Sequence, residues 1–151
     1  MIYFRIPILF HLKRYEDAIL EANANPNFRA LAATSYAAMG RYDEAHSLLD
    51  NIHPGQRIEK NSCKGQVFFI QGSYDEALRY FEKSGEFMPA GKVRIAQTLE
   101  KLGDYRSAAK AWERAILSKR FRASNDLAAL ARCYRGYGQE ELARKAEALI
   151  P

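Results

Sequence analysis

Gly72-Ser-Tyr-Asp-Glu-Ala77 is the stretch of sequence that decides the fold, because near-copies of it recur along the chain of 151 residues. Glycine also begins the copies at Gly40, Gly103 and Gly138, whereas the first copy, Lys13-Arg-Tyr-Glu-Asp-Ala18, has lysine in its place. The copies end in alanines 27, 32, 31 and 35 residues apart, at Ala18, Ala45, Ala77, Ala108 and Ala143. Such a period indicates an array of stacked structural repeats.

Each copy lies between two segments that have the spacing of packed helices. A small residue lies seven positions before each glycine, at Ala33, Gly65, Ala96 and Ala131, and lets two helices approach closely. Glycine commonly ends a helix in the left-handed conformation, and the acidic residues after it favour the start of the next helix. The pattern predicts helix pairs at residues 2–12 and 15–24, 27–39 and 42–51, 57–71 and 74–86, 90–102 and 105–118, and 122–136 and 139–149.

These residues resemble the tetratricopeptide repeat (TPR) family, whose Gly-x-Tyr-x-x-Ala pattern occurs in full from Gly40, Gly72 and Gly103. The resemblance implies an all-α fold, a right-handed superhelix (α-solenoid) of about five antiparallel helix-turn-helix hairpins. We expect a single repeat domain over residues 1–151, with repeats near 1–25, 26–56, 57–88, 89–121 and 122–151.

The two ends of the array differ in polarity. At the C-terminal end, Glu140 and Glu147 stand where the inner repeats have aromatic or apolar residues, which is typical of a terminal repeat. At the N-terminal end, residues 2–10 are too apolar for one buried face. We therefore expect self-association or a partner at this edge. The alternative is that the chain is part of a longer array.

The sequence offers no catalytic, cofactor or metal constellation, and we expect a protein that is not an enzyme and has no cofactor. The segment from Gly85 to Val93 fails as a phosphate-binding loop, because the glycine spacing is wrong and Val93 replaces the serine or threonine that would hold magnesium. The histidines lack metal-ligand spacing. Cys63 and Cys133 fall on helices of different repeats, too far apart for a disulfide, so we expect both thiols to be reduced.

The net charge of +5 is concentrated in the last part of the chain. Residues 1–91 contain 10 basic and 11 acidic residues, giving −1, whereas residues 92–151 contain 13 and 7, giving +6. This asymmetry favours an acidic partner for the C-terminal half.

No stretch approaches the ~18 apolar residues of a membrane span, and charged residues separate the apolar N-terminus from a cleavage site. We expect a cytoplasmic protein without a membrane partner.

In the TPR family, the first helices of the hairpins line a concave groove that binds protein or peptide segments. Carried over by position, the resemblance implies that the groove contains Tyr3, Phe10, Thr34, Gln66, Phe69, Gln97, Lys101, Arg132 and Arg135. Among the groove positions of the last two repeats, we expect only Glu100 to oppose the basic groups. The cationic clamp that grips the carboxylate end of chaperone tails is absent, since Tyr3, Pro7 and Thr34 replace its lysine and asparagine.

The combined prediction is a non-catalytic interaction scaffold that binds a protein or peptide segment in the groove, with acidic ligand favoured toward the C-terminal half. Thr34, Gln66 and Gln97 share one position in successive repeats and would hydrogen-bond the ligand backbone. The alternative is a nucleic-acid-binding helical-repeat protein that uses the basic run Lys119-Arg120-Phe121-Arg122. The acidic first half disfavours that alternative, because it would repel a long polyanion.

Overall fold

The computed structural model describes residues 2–53, 55, 57–84, 89–118 and 123–151, which form α-helices, short turns and no strand. The all-α prediction is confirmed, and the helices begin and end within two residues of their predicted positions. They are α1 (Ile2–His11), α2 (Tyr15–Asn23), α3 (Arg29–Ala38), α4 (Tyr42–Asp50), α5 (Arg57–Gln71), α6 (Tyr74–Ser84), α7 (Pro89–Leu102), α8 (Tyr105–Leu117), α9 (Ser124–Gly136) and α10 (Glu140–Glu147).

The helices pair into antiparallel hairpins that belong to two compact units. The first unit, Met1–Ser84, contains the hairpins α1–α2, α3–α4 and α5–α6, and the second, Gly85–Pro151, contains α7–α8 and α9–α10. Within a unit, the second helix of one hairpin packs against the first helix of the next: α2 on α3, α4 on α5 and α8 on α9. The unit boundary follows Ser84, four residues before the predicted end of the third repeat. A single domain over residues 1–151 stays a prediction.

A left-handed residue ends the first helix of every hairpin. The glycines at this position, Gly40, Gly72, Gly103 and Gly138, have φ between 77° and 85°. In each turn the N–H of the following residue donates to a carbonyl five residues back, as in the 2.9 Å bond from Arg41 to Tyr36. This is the Schellman arrangement, which satisfies carbonyls left open at a helix end. Lys13 adopts the same conformation with φ of 59°, although it carries a side chain.

In four of the five hairpins, the two helices bring together buried residues that are sixteen positions apart in sequence. Three hairpins place a small residue on the first helix and a large one on the second, and all of these residues are buried: Ala33 with Leu49, Gly65 with Phe81, and Ala96 with Trp112. The Gly65 crossing is tight, because a Cβ atom added there would lie 2.6 Å from the Phe81 ring. The sizes of the two residues therefore compensate within one hairpin.

The first hairpin reverses this arrangement. Its first helix supplies the large residue, Ile6, and its second helix supplies the small one, Ala22. Both side chains are buried in the same apolar cluster, together with Leu9 and Ile19. Helix α1 continues through Pro7, which lies on its exposed side. The hairpin thus keeps a matched crossing although its residues depart from the repeat pattern.

We expect Gly65→Ala to lower the free energy of unfolding by about 1–3 kcal/mol, because the added methyl group collides with Phe81. Phe81→Leu in the same chain should recover most of that loss, since Ala33 and Leu49 already pack as such a pair. Chemical denaturation of both single variants and the double variant measures the coupling between the two sites. Strict additivity of the two losses would contradict the proposed size match.

We expect Lys13→Gly to raise the free energy of unfolding by up to about 1 kcal/mol, because glycine adopts a left-handed backbone without steric cost. Lys13→Ala is the matched control, since alanine removes the charge and keeps the backbone strain. Equal stabilisation by both substitutions in thermal and urea denaturation would show that charge, rather than backbone conformation, limits stability at this turn.

Candidate peptide-binding surface

The first helices of the hairpins carry the residues that the sequence assigned to a ligand groove. In the first unit, Phe10, Thr34, Gln66 and Phe69 are all half-buried. In the second unit, the predicted groove residues are exposed: Gln97, Lys101, Arg132 and Arg135. The side chain of Tyr3 lies outside the described residues. The assignment of these positions to a binding groove stays a prediction.

The first-unit residues are partly occupied by contacts within their own hairpins. The Phe10 ring packs edge-on against Tyr15, and the Phe69 ring packs in the same way against Tyr74, each with 5.4 Å between centroids. The Thr34 hydroxyl donates a 2.8 Å hydrogen bond to the carbonyl of Leu31. Its proton is therefore engaged within α3, and the hydroxyl oxygen can serve a ligand as an acceptor.

The carboxylate of Glu100 is the centre of the polar contacts in the second unit. The indole N–H of Trp112 donates to Oε1 over 2.8 Å, and Nη2 of Arg132 donates to Oε2 over 3.2 Å. The Glu100 side chain is 18% exposed, whereas that of Arg132 is 62% exposed. Glu100 thus joins the two helices of its own hairpin and holds a guanidinium of the next first helix, α9, near the surface.

The buried thiol of Cys133 also interacts with the Glu100 carboxylate. Cys133 is fully buried, and burial together with the Glu100 carboxylate raises the pKa of the thiol to about 12. The thiol is therefore protonated at neutral pH and acts as a small packed side chain rather than a nucleophile. Cys133 and Cys63 are both buried free thiols in the structure.

Arg135 is more strongly neutralised than the sequence suggested. Its Nη1 and Nη2 donate to the two carboxylate oxygens of Glu147 over 2.6 and 2.8 Å, and its Nε donates to Glu140 over 3.3 Å. The hydrogen bonds from Arg135 hold the pKa of Glu147 below its ordinary value. Among the predicted groove positions, Glu100 is the acidic residue that pairs with a basic one, but α10 supplies two further carboxylates from outside these positions, Glu140 and Glu147.

These contacts involve one sequence position that recurs in the hairpins but lies outside the Gly-x-Tyr-x-x-Ala motif. In four of the five described hairpins, the residue three positions before the left-handed turn contacts the second helix of its own hairpin: Phe10, Phe69, Glu100 and Arg135. The partner is five or twelve residues later. Sequence analysis assigned this position to the groove alone and therefore missed Trp112 and Glu147 as partners.

Several predicted features fall outside the described residues or find no structural counterpart within them. The basic run Lys119-Arg120-Phe121-Arg122 and the first part of the Gly85–Val93 segment lie outside the described part of the chain. Within the described ranges, no group of three or more His, Cys, Asp and Glu side chains could hold a metal ion. No described helix has the length and apolar character needed to cross a bilayer.

No protein-family model and no curated protein sequence matches the chain. Its structure is similar to two crystal forms of MamA AMB-1, both with a TM-score of 0.69. The first is 19% identical over 96% of this chain and 87% of MamA, and the second 18% identical over 99% and 96%. A kinesin light chain protein of Podosopora anserina with nearly identical TPR-like repeats has a TM-score of 0.70 at 15% identity, over 99% of this chain and 91% of that chain.

The high pKa of Cys133 predicts a loss of stability in alkali. An unfolded thiol has a pKa near ~8.5, so above that pH the unfolded chain releases a proton that the folded chain keeps until about pH 12. This contribution is complete below the unfolded pKa and is lost as pH rises. Urea denaturation across this range should show a pH slope steeper than that of Cys133→Ala by up to about 1.4 kcal/mol per pH unit. Identical slopes would contradict the burial of this thiol.

Proposed function

Because the chain has the tetratricopeptide-repeat fold, we propose that it is a non-catalytic scaffold that binds a segment of another protein along the first helices of its hairpins. Stacked helical hairpins present extended surfaces suited to peptide segments. The observation that carries the proposal is the surface of the second unit, where Gln97, Lys101 and Arg132 are exposed, and where Gln97 and Arg132 each lie between two buried residues of their helix. We also propose a cytoplasmic location, supported by two buried cysteines that form no disulfide.

The preferred ligand is acidic where it meets α7 and α9. Arg132 uses Nη2 to contact Glu100, and its Nε and Nη1 have no partner among the described residues. Lys101 is exposed one residue after Glu100. A ligand carboxylate can therefore contact a guanidinium that is already held in place, which lowers the entropy cost of binding. Arg135 contributes less, because Glu140 and Glu147 neutralise it.

The local charge balance supports a short acidic segment over a long polyanion. Lys101, Arg132 and Arg135 face three carboxylates in the same region, those of Glu100, Glu140 and Glu147. A nucleic acid gains affinity from many unopposed cations along its backbone. A peptide that places one or two carboxylates beside Lys101 and Arg132 avoids Glu140 and Glu147, which pair with Arg135, so peptide binding is the function that we propose.

Two extended decapeptides, one with alternating Gly and Glu and one with alternating Gly and Lys, test this proposal by NMR titration. The acidic peptide should shift the amide resonances of α7 and α9, and its affinity should fall with added salt. Lys101→Glu should weaken it by roughly two- to tenfold, as expected for reversing an exposed charge. Arg106→Glu, an exposed position on the second helix α8, is the matched control and should leave the affinity near that of wild type.

Three results would contradict the proposal. The basic peptide would bind as well as the acidic one, or the shifted amides would lie on second helices, or Arg106→Glu would weaken binding as much as Lys101→Glu. A random-sequence RNA that bound more tightly than the acidic peptide, with a steep salt dependence, would favour the nucleic-acid function instead.

A further inference from the structure

The edge formed by α1 and α2 exposes apolar side chains at a position that the other hairpins bury. Ile8 lies five residues before the left-handed residue of its hairpin and is 54% exposed. The residues at the same position in the other four hairpins are all fully buried: Ser35, Val67, Thr98 and Cys133. Leu12 and Leu20 line the same shallow groove as Ile8 and are 62% and 69% exposed. We call Ile8, Leu12 and Leu20 the N-terminal edge.

The chain itself shows what covers this position. Within each unit, the second helix of one hairpin packs on the first helix of the next: α2 on α3, α4 on α5 and α8 on α9. In the first unit, α3 also packs on α5. The apolar stripe of the covering helix carries no charge. Its residues are Ile19 and Ala22 in α2, Leu49 and the following Ile52 in α4, and Trp112, Ala115 and Ile116 in α8.

The polar rim of the N-terminal edge is electrically balanced. Arg5 pairs with Glu21 over 3.0 Å, and Arg14 pairs with Asp17 over 2.7 Å. The two cations and two anions neutralise each other beside the apolar groove. An uncharged apolar stripe of a partner can therefore pack on this edge without burying an unpaired charge. The charged residues that line the groove also have no excess of cations that would attract an anionic membrane or a nucleic acid.

A second copy of the chain lacks the matching helix. Helix α10 is the second helix of the last hairpin in the second unit, but it has Arg144 where α2 has Ile19 and Glu147 where α4 has Leu49. Both charged side chains are exposed and engaged in ion pairs. Placing them on Ile8 would bury charge against an apolar groove, which is strongly unfavourable.

We propose that the N-terminal edge is a docking site for an amphipathic helix of another protein. The partner helix carries uncharged apolar residues spaced three and four apart, and it lies on α1 as α2, α4 and α8 lie on the first helices that follow them. This site is separate from the acidic-peptide surface of α7 and α9. Helix-in-groove docking of this kind reuses the packing that builds the array.

The chain supplies its own probe for this site. A synthetic peptide of residues 104–118 that carries Arg106→Glu, with a lactam bridge from this glutamate to Lys110 on its exposed side, reproduces α8 and its stripe. We expect saturable binding to the full chain by fluorescence anisotropy. The control peptide carries Trp112→Glu and Ile116→Glu and should not bind, because its stripe is charged.

Variants of the full chain locate the binding. Ile8→Asp and Leu20→Asp should each weaken the probe by about tenfold or more, since they place a charge in the apolar contact. Both positions are more than half exposed, so the folded state should survive, and circular dichroism melting verifies this. Leu117→Asp, at an 81% exposed leucine of α8, and Lys101→Glu are controls that should leave probe binding unchanged. Absence of binding, or binding that Ile8→Asp does not weaken, would overturn the proposal.

Two measurements without the peptide test the other occupants of the edge. Sedimentation velocity should show that the chain alone stays monomeric, and a dimer that Ile8→Asp dissociates would assign the edge to a second copy. Flotation with neutral and anionic phospholipid vesicles should show no association that depends on Ile8. Vesicle binding lost in Ile8→Asp would assign the edge to a lipid surface and would also overturn the helix proposal.

Discussion

The left-handed residue between the two helices of each hairpin is the constraint on which the rest of this structure depends. It lets the backbone reverse over two hydrogen bonds, one of which reaches five residues back, as from Ser73 to the carbonyl of Phe68. The alanine that follows five positions later then falls at the helix crossing, where Ala77 and Ala108 are fully buried. Because the turn geometry is the same in every hairpin, residues at equal distances from the turn occupy equivalent places.

The positions of the helices could be predicted from sequence because the turn residue and the buried alanine are themselves sequence features. Even Lys13, which lacks the permissive glycine, occupies the turn that its place in the pattern predicts. The sequence pattern did not predict that the first hairpin has its large residue, Ile6, on the first helix and its small residue, Ala22, on the second. At a helix crossing, the two facing side chains must together fill the space between the helices. The repeat pattern specifies where these side chains lie, but not which helix carries the larger one.

The candidate binding surface was only partly predictable, for an electrostatic reason. The sequence correctly placed Lys101 and Arg132 on first helices, but it treated the positive charge of residues 92–151 as if it were available to a ligand. Side chains far apart in sequence use part of that charge internally. Glu100 reaches Arg132 and Glu147 reaches Arg135 because neighbouring helices bring them within hydrogen-bond distance. Such pairing depends on rotamers and helix packing, which composition does not report.

The sixteen-residue separation between the crossing partners, shared by four of the five hairpins, has a consequence for how this chain folds. Each crossing, whether Ile6 with Ala22 or Gly65 with Phe81, closes a loop of the same short length, so the entropy cost of closure is small and nearly equal along the chain. Contacts of such low contact order form rapidly, and no distant segment must arrive before a hairpin can close. Folding can therefore nucleate in any hairpin and spread to its neighbours, and the hairpins at the ends should exchange their amide hydrogens faster than the interior ones.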